Sequence, residues 1–387
     1  MQLDFHYYAT YCAALLAGFS HMESLDICYS AQMTDCCSRS FLSKLKAPLS
    51  AATTQLQMEL MDARTDLLGR QDITRIWASF HFLPYDLYAP VKKHWSRAYC
   101  EKYRLICGPR GTLSGATVQL AKDKSLQAAG IAMHVLADTW AHRYFAGTPS
   151  LVINNVNEYC REIREDNGMI VEVPVQFRHN PAGKDDPATG EYNGTVFQAT
   201  EHSVMNLGHG RAGHLPDYSF MRYVYLPAWC DYQEILKDNP ADYYYAFCQM
   251  VRALRYLRGT DERFEPDCCD ADLSEKEEQE IRSILSKRQT DASADWKAFG
   301  ESLSGEKIPA FDEERYTGEY IEAGKASNDD TFLGRFILAA MAQKSMVTNR
   351  IYSSGNMLAG FSVNFEGGAF RGIRDFKKLV QAADKTK

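Results

Sequence analysis

The sequence predicts an all-α fold, mainly helical, interrupted by a short β-hairpin or extended insertion. Three observations carry this. Apolar residues recur at helical spacing through the first 160 residues. Residues that start and stop helices bracket those stretches. Within residues 165–198 the run "MIVEVPVQFRHNPAGKDDPATGEYNGTVFQ" alternates apolar with polar and then fills with Pro, Gly, Asn and Asp, the mark of strand and turn.

Taken in order, Asp4 is placed to cap a helix running to about residue 17, and Gly18 suits the position just past its end. Ser20 with Glu23 forms a capping box for a second helix that carries Asp35 near its end. "TTQLQMELMDARTDLLG" reads as a third helix closed by Gly69. "DITRIWASFHFLP" reads as a fourth, with Asp72 as cap and Pro84 beyond its end. "SLQAAGIAMHVLADTWAHRYFAG" is the fifth and strongest, closed by Gly147. Helical patterns resume at about residue 200. The segment 258–326 is more charged, with Ser274 and Glu277 opening a polar helix, and reads as a surface subdomain or lid. One more helix spans 329–349, and "AADKTK" reads as a frayed tail. This divides the chain into a core over 1–257, the charged segment, and a C-terminal helix and tail over 327–387.

Composition limits the function classes. The chain has 387 residues, 45% hydrophobic and 24% charged, with a formal net charge of −7. A binder of long nucleic acid needs a basic stripe, which is missing. No apolar run approaches the roughly 20 residues that span a bilayer. The opening "MQLDFHYYATYCAALLAGF" lacks a basic n-region and carries Asp4 and His6, so it reads as mature sequence of a cytoplasmic protein. The 11 cysteines form no C-x-x-C and fit small buried residues in a reducing compartment.

The chemistry-bearing residues begin on the fifth helix. His134, Asp138 and His142 stand four apart and share one face among Ala, Met, Val, Leu and Trp. At about 1.5 Å of rise per residue the two histidines lie about 12 Å apart, too far for one ion with bonds of about 2 Å. Two ions, with Asp138 between them, satisfy the spacing. Buried polar groups need partners, which favours metal ligation over an ordinary helix face. Further candidates are Asp4 and His6 in "LDFHYY", Asp35 in "SAQMTDCC", His81 in "ASFHFLP", and His209, His214 and Asp217 in "MNLGHGRAGHLPDYSF". Singly, each has a structural reading: Asp4 as a helix cap, His81 as a core histidine. "GHGRAG" formally matches a dinucleotide-binding pattern but lacks the preceding strand and following helix, so its glycines instead turn the backbone to aim His209 or His214 inward.

H-x-x-x-D-x-x-A-H-x-x-F in a helix resembles the zinc-dependent phospholipase C and single-strand nuclease superfamily. "DFHYYATYCAA", "AGIAMHVLADTWAHRYFAG" and "GHGRAGHLPDYSF" are also similar, nearly full length, to a group of uncharacterised bacterial proteins. The superfamily resemblance covers about residues 1–230. It implies a phospholipase C/nuclease-like helical core, a three-zinc cluster and hydrolysis of phosphate esters. It implies that His6 binds one ion, that Asp35, His81 and His134 bind a second, and that Asp138 bridges the two. His142, His214 and Asp217 bind a third, with His209 a rival ligand. Secreted members use their N-terminal amine as a ligand; here Met1, Gln2 and Leu3 come first, and Asp4 is expected in that place. The Asp-to-His spacing on the central helix is shorter than the familiar one.

The cofactors expected are divalent ions, zinc first, with iron or manganese also suited to Asp and His. Asp138 is the residue expected to orient the attacking water, and Arg211 to bind a small-molecule phosphate ester, although its plainer reading is a surface loop arginine. The alternative is a non-catalytic metal- or ligand-binding helical protein, whose ions would be fully ligated by side chains. The absence of any His-Asp dipeptide counts strongly against a nucleotide phosphohydrolase with a contiguous His-Asp motif.

Overall fold

The computed structural model describes residues 1–361 apart from 157, 158 and 167; the tail expected at "AADKTK" lies outside the described residues. The protein is mainly helical and carries a small antiparallel sheet, so the all-α expectation is corrected in that respect. No helix among the described residues is long and apolar enough to cross a membrane.

The organising element is the central helix Leu126–Ala141, capped by the Ser125 side chain accepting from Ala128 N. All of its residues except Leu126 and Ala128 are buried. A helix that is apolar nearly all round must be surrounded. His21–Cys36, Asn239–Arg258, Phe332–Ser353, Thr112–Ala121 and Leu67–Phe80 pack around it. Gly130 sets the closest crossing: a Cβ there would lie 2.3 Å from the Ile27 carbonyl oxygen. The helix ends at Ala141, with His142 as its C-cap, and not at Gly147 as expected; Tyr144 already has a left-handed φ of 82°.

The helix starts expected from local chemistry hold where the capping side chain is present. The Ser20–Glu23 and Ser274–Glu277 boxes both form. Two expectations are corrected. The third helix is only Gln57–Ala63, and the fourth begins at Leu67, where Asp66 accepts from Gly69 N at 2.7 Å, rather than at Asp72. Asp66 competes as a cap one and a half turns earlier, and the intervening "RTD" turn breaks the run.

The N-terminal helix is also not a plain α-helix. Asp4–Ala9 is π-helical and continues as α-helix through Thr10–Leu16. Both the N–H and the hydroxyl of Thr10 reach the Phe5 carbonyl. Such wide turns are frequent at functional positions.

The sheet is built from β1 (Arg161–Asp166), β2 (Met169–Pro174), β5 (Arg222–Tyr225) and β6 (Ile235–Asp238), in the order β2-β1-β5-β6. β1 and β2 form the expected hairpin, which begins before residue 165. β3 (Gln176–Arg178) and β4 (Glu191–Asn193) form a separate parallel pair. The helical expectation after residue 200 is corrected: 200–238 is loop, short 3-10 turns and two strands, and helix returns at Asn239. β5 and β6 are four residues each, too short to announce themselves by periodicity.

Candidate metal centre

Five separate stretches of chain bring their polar side chains to the C-terminal half of the central helix. His134 and Asp138 project from that helix, and His142 caps it. The π-turn supplies His6, the end of helix His21–Cys36 supplies Asp35, and the C-cap of helix Leu67–Phe80 is His81. The loop 208–217 supplies His209 and Asp217. Gly208 (φ 53°) and Gly213 (φ 55°) make that loop possible, because left-handed backbone is cheap only for glycine. A Cβ on Gly208 would also enter the Phe82 ring. Asn239 holds the Asp217 turn by donating to the carbonyls of Leu215 (2.9 Å) and Tyr218 (2.8 Å), and Tyr243 OH donates to Pro216 O at 3.0 Å.

Three groups result, in each of which one donor atom per residue lies within 4.8 Å of the others: His6, His134 and Asp138; Asp35, His81 and His134; His142, His209 and Asp217. Asp138 is their hub. Its Oδ1 lies 3.2 Å from His6 Nε2, and its Oδ2 lies 3.2 Å from His134 Nε2, 3.3 Å from His81 Nδ1 and 3.5 Å from His142 Nδ1.

The outward hydrogen bonds of the histidines fix which nitrogen faces the carboxylates. His81 Nε2 donates to Thr53 O at 3.0 Å, His142 Nδ1 to His81 O at 2.8 Å, and His209 Nδ1 to Gly213 O at 2.8 Å. A carbonyl can only accept, so when such a ring is neutral its other nitrogen is a lone pair. His81 Nδ1 faces Asp138 Oδ2 at 3.3 Å and His134 Nε2 at 3.2 Å; His142 Nε2 faces the Met1 amine at 3.1 Å and Asp217 Oδ1 at 3.3 Å; His209 Nε2 lies 3.7 Å from Asp217 Oδ1. Both ring nitrogens of His6, and Nδ1 of His134, are buried without a hydrogen-bond partner. Lone pairs converging on carboxylates repel unless a cation stands between them.

Burial pushes His6, His134 and His209 each down to about 4, so they are neutral at pH 7, the form that binds metal. Burial works to raise Asp138 and Asp217, but nearby groups outweigh it and hold both carboxyls well below the usual range: His142, the N-terminal amine, His134 and His6 for Asp138, His209 and the same amine for Asp217. Burial raises Asp35.

The sequence reading missed one participant. The Met1 nitrogen donates to Asp138 Oδ1 at 2.9 Å, lies 3.2 Å from Asp217 Oδ1, and stands 3.1 Å from His142 Nε2. Burial opposes its charge, but Asp138, Asp217 and Asp35 prevail and raise the amine to about 11. It occupies the place expected for Asp4. Asp4 is corrected to a structural role: its Oδ1 accepts from Phe5 N at 2.8 Å and its Oδ2 from Ala292 N at 3.1 Å, clamping the N-terminal turn to the charged segment.

Two further corrections concern the loop. His214 stays out of the third group, its side chain 57% exposed and its Nδ1 2.9 Å from Asp217 Oδ2; its rival His209 takes the inner position. Arg211 is neither a substrate clamp nor a surface residue. It is buried, and its guanidinium donates to Asn155 Oδ1, Asn206 Oδ1 and Ala199 O, which stitches the loop together.

The centre is closed at its hub and open at two edges. Asp138 and His134 are 1% and 0% exposed, whereas Asp35 is 31% and His209 18% exposed. One protein-family model, described as a family of unknown function (DUF6765), matches residues 1–351. No curated protein and no solved structure matches the chain.

Proposed function

This chain belongs to DUF6765, a family of unknown function, and we propose that it is a metal-dependent hydrolase of small phosphate esters built around two or three divalent ions. One observation carries the reading: imidazole nitrogens and two depressed carboxylates converge in a buried space where, among the described residues, the Met1 amine is the one strong cation beside them. The residues fit the group they imply. Neutral histidine and carboxylate suit zinc, iron or manganese, and the backbone carbonyls behind His81, His142 and His209 orient their rings as ligating histidines require. The resemblance of the H-x-x-x-D-x-x-A-H-x-x-F helix to the phospholipase C and nuclease superfamily points the same way.

In this reading His6, Asp35, His81, His134, His142, His209 and Asp217 hold the ions, and Asp138 is shared between groups. The Met1 amine, once deprotonated, is a further ligand beside His142 and Asp217. Bound divalent ions supply a water of lowered pKa and neutralise charge on an ester phosphate. Asp35 is the accessible carboxylate, placed to accept a hydrogen bond from incoming water. Asp138, with both oxygens engaged by four histidines, fixes the spacing of the groups. The remaining reading is a non-catalytic metal protein, favoured by the near-complete burial of the hub; a coordination position left to solvent separates the two.

The test is metal content per chain by mass spectrometry, on protein purified without chelator, followed by a phosphoesterase screen. Two or three transition-metal ions per chain with hydrolysis abolished by chelation are expected. A metal-free, folded protein would sink the proposal.

A further inference from the structure

We propose that the substrate's leaving group is a small polyhydroxylated alcohol, so that the protein acts on a sugar or polyol phosphate; this rests on the metal-dependent reading above. The observation is a cavity of about 440 Å³ that adjoins the third ligand group. His209 belongs to that group and also lines the cavity, as do Gln2, next to Met1, and His214, hydrogen-bonded to Asp217.

The cavity's lining carries many polar side chains but no aliphatic chain of any size. No Leu, Ile, Val, Met or Phe contributes to it; Asp185, Asn193, Thr195 and Lys184 line it together with Pro181 and Tyr218 and with glycine backbone between them. An acyl chain needs apolar walls to leave water, and such walls exist elsewhere in the molecule. A cavity of about 300 Å³ at the other end of the central helix is lined by Leu120, Ile131, Leu338 and Met341, but it does not include any metal-ligand candidate.

Asp185 is the selective feature. Its Oδ2 accepts from Tyr218 OH at 2.8 Å and its Oδ1 from Asn193 N at 2.7 Å, so the carboxylate is held in one orientation before any ligand arrives. Asn193 Nδ2 also donates to Oδ1 at 3.3 Å, so of about four acceptor positions on the carboxylate about one is left for a substrate hydroxyl. A fixed acceptor of this kind reads O–H donors and repels a second phosphate. The phosphate therefore belongs at the metal end and a hydroxyl at Asp185. This disfavours both a lipid and a polynucleotide, whose next phosphate would have to pass the same wall. In the reaction the ester P–O bond breaks, the oxygen of water forms the new P–O bond, and the alcohol leaves carrying one of that water's protons.

The test uses the full metal-loaded chain with glycerol 3-phosphate, glucose 6-phosphate, p-nitrophenyl phosphate and a short-chain phosphatidylcholine, comparing wild type with Asp185→Asn and Asp185→Ala. Expected is preferred turnover of a polyol phosphate. In the variants its KM rises roughly tenfold or more with little change in kcat, the rise is smaller for p-nitrophenyl phosphate, which brings no hydroxyls to Asp185, and metal content and melting temperature are retained. Preference for the lipid, or a polyol phosphate KM indifferent to both variants, overturns the substrate assignment while leaving the hydrolase reading intact. Metal-loaded protein with no hydrolysis of any of the four overturns both.

Discussion

Two buried clusters of charge lie a short distance apart in this molecule, and they are built on opposite principles. Around Lys237, which is fully buried, the cations and the carboxylate find one another. Its ammonium donates to Asp242 Oδ2 at 2.6 Å and to the Trp140 carbonyl at 2.8 Å, and Arg143 adds a second cation 3.0 Å from Asp242. Around Asp138 the accounts do not balance: neutral histidines and carboxylates face one another, and the Met1 amine is the only strong cation among them. The first cluster is complete as folded. The second is a set of donors awaiting something positive. Burial is equal in both, so burial alone does not mark a site; unmatched chemistry does.

The sharpest way to break this comparison is to remove each hub. Asp138→Ala should strip essentially all bound metal, because all three groups meet at that carboxylate or at residues touching it; mass spectrometry of the purified variant reads this directly. Asp242→Asn should leave metal content untouched and instead destabilise the fold by about 3–5 kcal/mol, the cost of stranding a buried lysine, as measured by denaturant unfolding. If Asp242→Asn lost the metal and Asp138→Ala lost only stability, the distinction would be wrong.

The pH dependence sharpens it further. His6, His134 and His209 are neutral in the fold down to about 4, while in the unfolded chain they take up protons below about 6.5. Unfolding therefore binds protons in that window. Stability of the metal-free protein should fall as pH drops from 6.5 towards 4, by up to about 1.4 kcal/mol per pH unit for each histidine. Bound metal should be released over the same range, since protons and ions compete for the same nitrogens. Melting curves of metal-free and loaded protein at stepped pH measure both.

The smallest effect separates two histidines five residues apart. His209→Ala should lower metal content by about one ion per chain. His214→Ala should retain all of it and weaken affinity by tenfold or less, as expected of a residue that supports a ligand rather than being one. Equal losses would place His214 inside the group.

The sequence exposed the site better than the fold around it. His134, Asp138 and His142 are legible because helical spacing alone puts three polar groups on a surface that is otherwise apolar. Capping boxes at Ser20 and Ser274 are legible because they are closed within four residues. What escaped depends on distance along the chain. β5 is defined by pairing with β1 some 60 residues earlier and β6 by pairing with β5 in turn, and nothing in "RYVY" or "ILKD" states those partners. The choice of His209 over His214 depended on which glycine turned which way, although the glycines themselves were visible. Arg211 looked like an anion clamp because the sequence could not reveal that Asn155, Asn206 and Ala199 would use up its donors. The Met1 amine carried no side-chain signal at all.

The bond from Asp4 to the Ala292 amide spans 288 residues. During synthesis at about 5–20 residues per second, Asp4 and its neighbour His6 wait on the order of tens of seconds before that clamp exists. For that interval the π-turn has no latch, and the third group lacks Asp217 for most of it. The centre is therefore an event late in the life of the nascent chain. A ribosome-bound chain stopped short of residue 292 should hold its ions less firmly than the released protein, and loading with metal belongs after translation rather than during it.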